Sequence, residues 1–122
     1  MGMYTEILVK ADVNISEISE TDLTVINYLF GQGEKPCSLP SHKFFTLHRW
    51  EFIGKSSSFY HHPRAISNFE DSYIFSRSDL KNYDDEIENF FDWFRPLTTA
   101  EEGQCIGYSW YEEDAAPTLV YK

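Results

Sequence analysis

Four histidines, His42, His48, His61 and His62, lie in the middle third of this 122-residue chain, with Ser56, Ser57 and Ser58 between the second and third. Histidine, serine and the nearby Asp71 and Asp79 are the residue types that proton transfer, acyl transfer or metal binding would use. Their spacing assembles none of these. No two histidines stand four apart, as a zinc-binding helix needs, and adjacent His61 and His62 would point to opposite faces of a strand. No nucleophile elbow surrounds the serines. "GKS" at 54–56 echoes the end of a phosphate-binding loop, but Arg49 stands where that loop requires glycine. "GQG" at 31–33 follows a helical stretch, at the end whose dipole repels phosphate. The sequence therefore assigns no catalytic residue, no metal ligand and no cofactor. An enzyme would have to bring His61 or His62 together with Asp71 or Asp79, and with Arg49 or Arg77, in one concavity.

Charge speaks more clearly. The net charge is -10, and it is unevenly placed. Residues 1–81 carry 10 acids and 8 bases, whereas residues 82–122 carry 10 acids against only Arg95 and Lys122. Such a field disfavours a direct grip on nucleic acid or on an anionic membrane, and favours a basic partner. Aromatic residues make up 17% of the chain, enough to build a core despite the charge. No apolar run approaches the ~18 residues of a membrane span. Cys37 and Cys105 fit no disulfide or zinc framework and read as free thiols, which with the absence of a leader pattern predicts a cytoplasmic protein.

The elements that must position these residues follow from hydrophobic period. In "YTEILVKADV", Ile7, Val9, Ala11 and Val13 alternate with Glu6, Leu8, Lys10 and Asp12, the pattern of a half-buried strand. "SETDLTVINYLFG" is a helix with Ser19 as its cap, Leu23, Ile26, Leu29 and Phe30 as its buried stripe, and Gly31 as a left-handed stop. A short helical turn near Phe44–Leu47 precedes strands at Trp50–Lys55 and Phe59–His61. "EDSYIFSRSDL" is a strand with Tyr73, Phe75 and Arg77 on one face and Ile74, Ser76 and Ser78 on the other. A second helix stops at Pro96, and "QCIGYSWYEE" and "PTLVYK" make a hairpin around "DAAP". One domain results, an α+β two-layer sandwich with both helices on one face of a mostly antiparallel sheet of about five or six strands. A decorated ferredoxin-like arrangement is one way to connect them.

The second helix carries the densest acid. Ile87, Phe90, Phe91 and Phe94 share one face, and Asp84, Glu88 and Asp92 follow one another on a wetter face, with Asn82 or Asp84 as cap. The stretches "LKNYDDEIENFFDWFRP", "GYSWYEE", "PTLVY", "MYTEI" and "P-x-H-x-FF…RW" resemble a group of small phage- and prophage-encoded proteins of unknown function. The resemblance spans nearly the whole chain. It implies residence in a bacterial cytoplasm during infection or lysogeny, and it transfers no activity.

These features predict a non-enzymatic accessory protein that binds another protein, or a second copy of itself, through the uncovered sheet. Tyr73, Phe75, Trp110 and Tyr111 are the candidate aromatic contacts. Without the basic residues that RNA stacking requires, those aromatics do not read as a nucleic-acid platform. The alternative is an acidic mimic of DNA that occupies a DNA-binding host protein through Asp84, Glu88 and Asp92, extended by the acids at 101–102 and 112–114.

Overall fold

The computed structural model describes residues 3–57 and 65–122. Its elements run β1 (Thr5–Asp12), α1 (Glu20–Phe30), β2 (Ile66–Glu70), β3 (Tyr73–Leu80), α2 (Glu86–Phe94), β4 (Cys105–Tyr111) and β5 (Thr118–Tyr121), with 3₁₀ turns at Lys43–Thr46, Trp50–Phe52 and Arg95–Leu97. The five strands form one sheet in the order β2-β3-β1-β4-β5, and every pair is antiparallel. Strands β1 and β2 are therefore parallel with β3 between them, and β3 and β4 are parallel with β1 between them. Each such pair brackets a helix in sequence, so the chain makes two interlocked split β-α-β units. That is the ferredoxin-like order, decorated by β5.

Alternation on β1 decides which face is covered. Ile7, Val9, Ala11 and Val13 are buried, and their cross-strand partners Ser78, Ser76 and Ile74 are buried beside the first three. They belong to the same core as Val25, Ile26, Leu29 and Phe30 of α1 and Ile87, Phe90, Phe91, Trp93 and Phe94 of α2. Both helices thus cover one face, as the period-2 and period-3.6 patterns predict.

The loop between α1 and β2 completes that layer. Phe44 packs against Phe45, Trp50, Phe90 and Trp93 at ring separations of 4.9, 5.9, 5.6 and 6.1 Å. The 3₁₀ turn beginning at Lys43 is the short helix expected near Phe44. The strand expected at Trp50–Lys55 is instead a 3₁₀ turn followed by a hydrogen-bonded turn. Trp50 and Ile53, three residues apart, both point into the core, which is the 3₁₀ repeat and not the strand's. Gly54 then turns the chain with φ +79°. The strand expected at Phe59–His61 lies outside the described residues.

Two further details differ from the sequence reading. In α1, Ser19 caps by accepting from the Asp22 amide at 3.1 Å, but Val25 is buried where Leu23 is only half-buried. Gly31 closes α1 with φ -113°, and not in a left-handed conformation. Its amide still bonds the Asn27 carbonyl at 3.0 Å, so the stop is achieved without positive φ.

One side-chain cluster stitches α1 to the loop. The Tyr28 hydroxyl donates to Glu51 at 2.7 Å, Lys35 pairs with the same carboxylate at 3.0 Å, and the Lys55 ammonium lies 4.4 Å from the Tyr28 ring centre. Burial, then the hydrogen bond to Glu51 and its charge, push Tyr28 up to about 12. The same hydrogen bond, helped by Lys35, holds Glu51 below the ordinary carboxylate range despite its partial burial.

Two predictions follow from these contacts. Because Tyr28 is raised in the folded state, its contribution is complete below its ordinary pKa near 10 and fades as pH climbs to about 12. Tyr28→Phe should cost about 1 kcal/mol at neutral pH, the partial exposure of Glu51 limiting the loss. The Tm difference from the parent should shrink above about pH 10; a difference that grows with pH contradicts the assignment. Separately, a Cβ on Gly107 would sit 2.1 Å from the Leu8 carbonyl oxygen and 3.0 Å from the Phe91 ring. Gly107→Ala should therefore lower stability by about 3 kcal/mol in urea melts, by forcing β1, β4 and α2 apart.

Candidate functional site

The helix-free face of the sheet is where the unexplained side chains gather. One rung crosses all five strands: Ile66, Arg77, Leu8, Tyr108 and Leu119 are successive cross-strand partners. The next rung toward one end holds Asp79, Glu6 and Trp110, and toward the other Asn68, Phe75 and Lys10. Ile66, Tyr73, Phe75, Leu119 and Tyr121 are each between 41% and 50% exposed, unusual for apolar side chains of this size on a sheet.

Among them sits a charged group that is not surface decoration. Arg77 donates through Nε to Glu6, places NH2 3.1 Å from Asp79, and donates through NH1 to the Ser57 hydroxyl at 2.8 Å. The Tyr108 hydroxyl donates to the other Glu6 oxygen at 3.0 Å, and Ser57 donates to Asp79 at 2.9 Å. Asp79 is fully buried, and the Glu6 and Arg77 side chains are only 13% and 11% exposed. One guanidinium thus holds two carboxylates from adjacent strands, the planar fork matching both at once. Sequence reasoning placed Arg77 on this face but missed the group. The available signal was Arg77 and Asp79 two apart on a strand, where alternation puts them side by side.

The four candidate aromatics divide. Tyr73 and Phe75 lie exposed on the helix-free face, as the alternation of "YIFSRS" predicts. Trp110, opposite Glu6, is half-buried on that face, and its indole donates to the Asp114 carbonyl at 2.9 Å. Tyr111, opposite Thr5, faces the helix layer, so it is not brought together with the other three. Burial, with the neighbouring Glu113 carboxylate next, raises the Tyr111 hydroxyl above its ordinary range.

The acidic residues do not form one row. Helix α2 begins at Glu86, so Asp84 precedes it, in a turn where Asp85 has φ 58°. The cap position is Asp85 and not Asn82 or Asp84, and Asp85's side chain makes no cap bond, but Asn82 reaches in to accept from the Ile87 amide at 2.8 Å. Glu86 is fully buried, accepting from the Arg49 and Asp84 amides at 3.1 Å each. Of the exposed acids, Asp84 lies 3.8 Å from Arg49, Glu88 accepts from Asn82 at 2.8 Å, and Asp92 meets His42 at 3.0 Å. Each has a donor inside the protein.

The described residues that the catalytic alternative would use lie apart. Asp71 is at the β2-β3 turn and Asp79 near the far end of β3, roughly 25 Å along the strand. Arg49 serves the α2 entry and Arg77 the sheet. His42 accepts from the Phe44 amide through Nδ1, which leaves Nε2 to donate to Asp92, so both nitrogens have structural roles. His48 is exposed, and His61 and His62 lie outside the described residues. A concavity of about 550 Å³ lies between the start of α1, residues 38–42 and the end of α2. Its Asp22 and Asp92 carboxylates are taken by the Trp93 indole and His42, both at 3.0 Å. No group of three His, Cys, Asp or Glu among the described residues could hold a metal ion, and no described helix is long and apolar enough to cross a membrane. Cys37 is exposed and Cys105 half-buried, both as free thiols.

No family model, no curated protein and no solved structure matches this chain.

Removing Arg77 should expose how much the sheet relies on it. Arg77→Met leaves Glu6 and Asp79 facing one another without their cation and should cost about 3–5 kcal/mol. Adding Glu6→Gln and Asp79→Asn should recover part of that loss in chemical denaturation. If the single variant is as stable as the parent, the three charges are not coupled.

Proposed function

We propose that this is a small non-enzymatic protein that binds another protein through the helix-free face of its sheet. The observation that carries the reading is the exposure, at 41–50%, of Ile66, Tyr73, Phe75 and Leu119 across a face that neither helix covers. Aromatic and branched side chains held rigidly on strands lose little entropy on contact, which suits them as anchors. The buried Glu6–Arg77–Asp79 group stiffens the strands beneath them. A net charge of -10 favours a partner with a basic surface around its contact patch. With the phage and prophage resemblance, the reading extends to an accessory protein acting in a bacterial cytoplasm.

Tyr73→Ser combined with Phe75→Ser tests this. Both side chains are exposed, so the variant should keep the parent's circular dichroism and melting temperature within a few degrees. Immobilised parent protein should retain a defined protein from a bacterial lysate at low salt, and the double variant should lose it. Retention of the same protein by both, or of none by the parent, removes the support for this face as the binding surface.

A further inference from the structure

Strand β5 is a four-residue edge with Pro117 before it and Lys122 after it, and within those four residues its outward backbone groups are left to Arg95 alone. Thr118–Tyr121 contains no charged residue and no proline. The other edge strand, β2, carries Glu70 and lies against α1. The direction of the β5 backbone groups is fixed by Lys122, which bonds inward to Gln104 and Gly103 at 2.8 and 2.9 Å. Strand alternation then turns Val120 inward and the amide and carbonyl of Leu119 and Tyr121 outward. Arg95 Nε donating to the Tyr121 carbonyl at 2.7 Å shows that this oxygen faces outward.

From this geometry we infer that β5 pairs edge to edge with β5 of a second copy, joining two five-stranded sheets about a two-fold axis. The inference rests on the reading of the sheet as a protein-binding surface and names the partner. With Val120 on the axis, Leu119 of one copy exchanges both backbone hydrogen bonds with Tyr121 of the other, and the symmetry repeats the exchange. Leu119 and Tyr121, 48% and 49% exposed, then lie side by side across the junction on the helix-free face. The pairing is isologous and closed, so it stops at a dimer.

Charge fits the same arrangement. Antiparallel order places the Thr118 end of one strand beside the Tyr121 end of the other. Asp114 shares a concavity with Thr118, while Arg95 lies on the Tyr121 carbonyl. In the dimer Arg95 leaves that carbonyl, which the second copy's Leu119 amide now satisfies, and turns to the other copy's Asp114.

Leu119→Pro is the discriminating variant, because it deletes an outward amide and leaves the β4-β5 hydrogen bonds in place. The parent should be a dimer in sedimentation equilibrium at high micromolar concentration, and Leu119→Pro a monomer with the parent's circular dichroism. Should Leu119→Pro fail to fold, Leu119→Lys places a charge on the edge without altering the backbone and should give the same loss. Arg95→Asp should weaken the dimer about tenfold, and adding Asp114→Arg should restore it. A parent that stays monomeric, or a folded Leu119→Pro or Leu119→Lys that remains a dimer, overturns the inference. A monomeric parent that still captures another protein through Tyr73 and Phe75 overturns it while leaving the proposed function standing. A Leu119-dependent dimer that captures nothing supports the pairing and counts against a heterologous partner.

Discussion

The helix layer is too small for the sheet it must cover, and that shortage shapes the rest of the molecule. Helices of 11 and 9 residues span only about 16 and 14 Å, against central strands β1 and β3 of 8 residues that run about 26 Å. The loop between α1 and β2 makes up the difference with Phe44, Phe45, Trp50 and Ile53, all buried. Phe44 is the hub, reaching Phe90 and Trp93 of α2 on one side and Trp50 on the other. Each of these rings contributes roughly 1.5–3 kcal/mol by leaving water, so a nominal loop carries a core's share of the stability. Neither helix reaches the opposite face.

On that helix-free face, electrostatics joins β1 to β3. Arg77 sits where an open sheet would otherwise present two carboxylates to each other across β1 and β3. Around it the exposed apolar side chains keep their positions because the backbone beneath is held from both sides. The charge asymmetry belongs to a different part of the molecule. Asp84, Glu88 and Asp92 hold the entry to α2, Asn82 and the His42 turn, each through a specific donor. Their acidity is used locally, to order loops.

How much of this was legible depends on whether the signal was periodic. β1, β3 and α2 were readable because an uninterrupted alternation or a four-residue stripe persists through each. The segment "WEFIGK" misled because its first four residues also fit a strand, and only the burial of Trp50 with Ile53 reveals the three-residue repeat. Strand β2 escaped because the turn joining it to β3 is built from Asp71 and Ser72, with φ 51° and 68°. A hairpin of this kind normally announces itself with glycine or asparagine. The Glu6–Arg77–Asp79 group was hidden for a different reason. Glu6 lies more than seventy residues from its partners, and no local pattern encodes which strand will lie beside which.

The central position of β1 also governs when the protein can begin to fold in a cell. Both neighbours of the first strand come from far along the chain: Thr5 pairs with Leu80 on one side and with Tyr111 on the other. A nascent chain emerges at about 5–20 residues per second, so β1 waits several seconds for β3 and longer for β4. Throughout that time Ile7, Val9 and Val13 are outside any core, on a segment able to pair with whatever strand it meets. α1 cannot shelter them, since its own stripe is completed by Phe90 and by strands not yet made. The strand that organises the finished sheet is therefore the most vulnerable part of the unfinished one, and its first half of synthesis is the interval in which a chaperone would matter most.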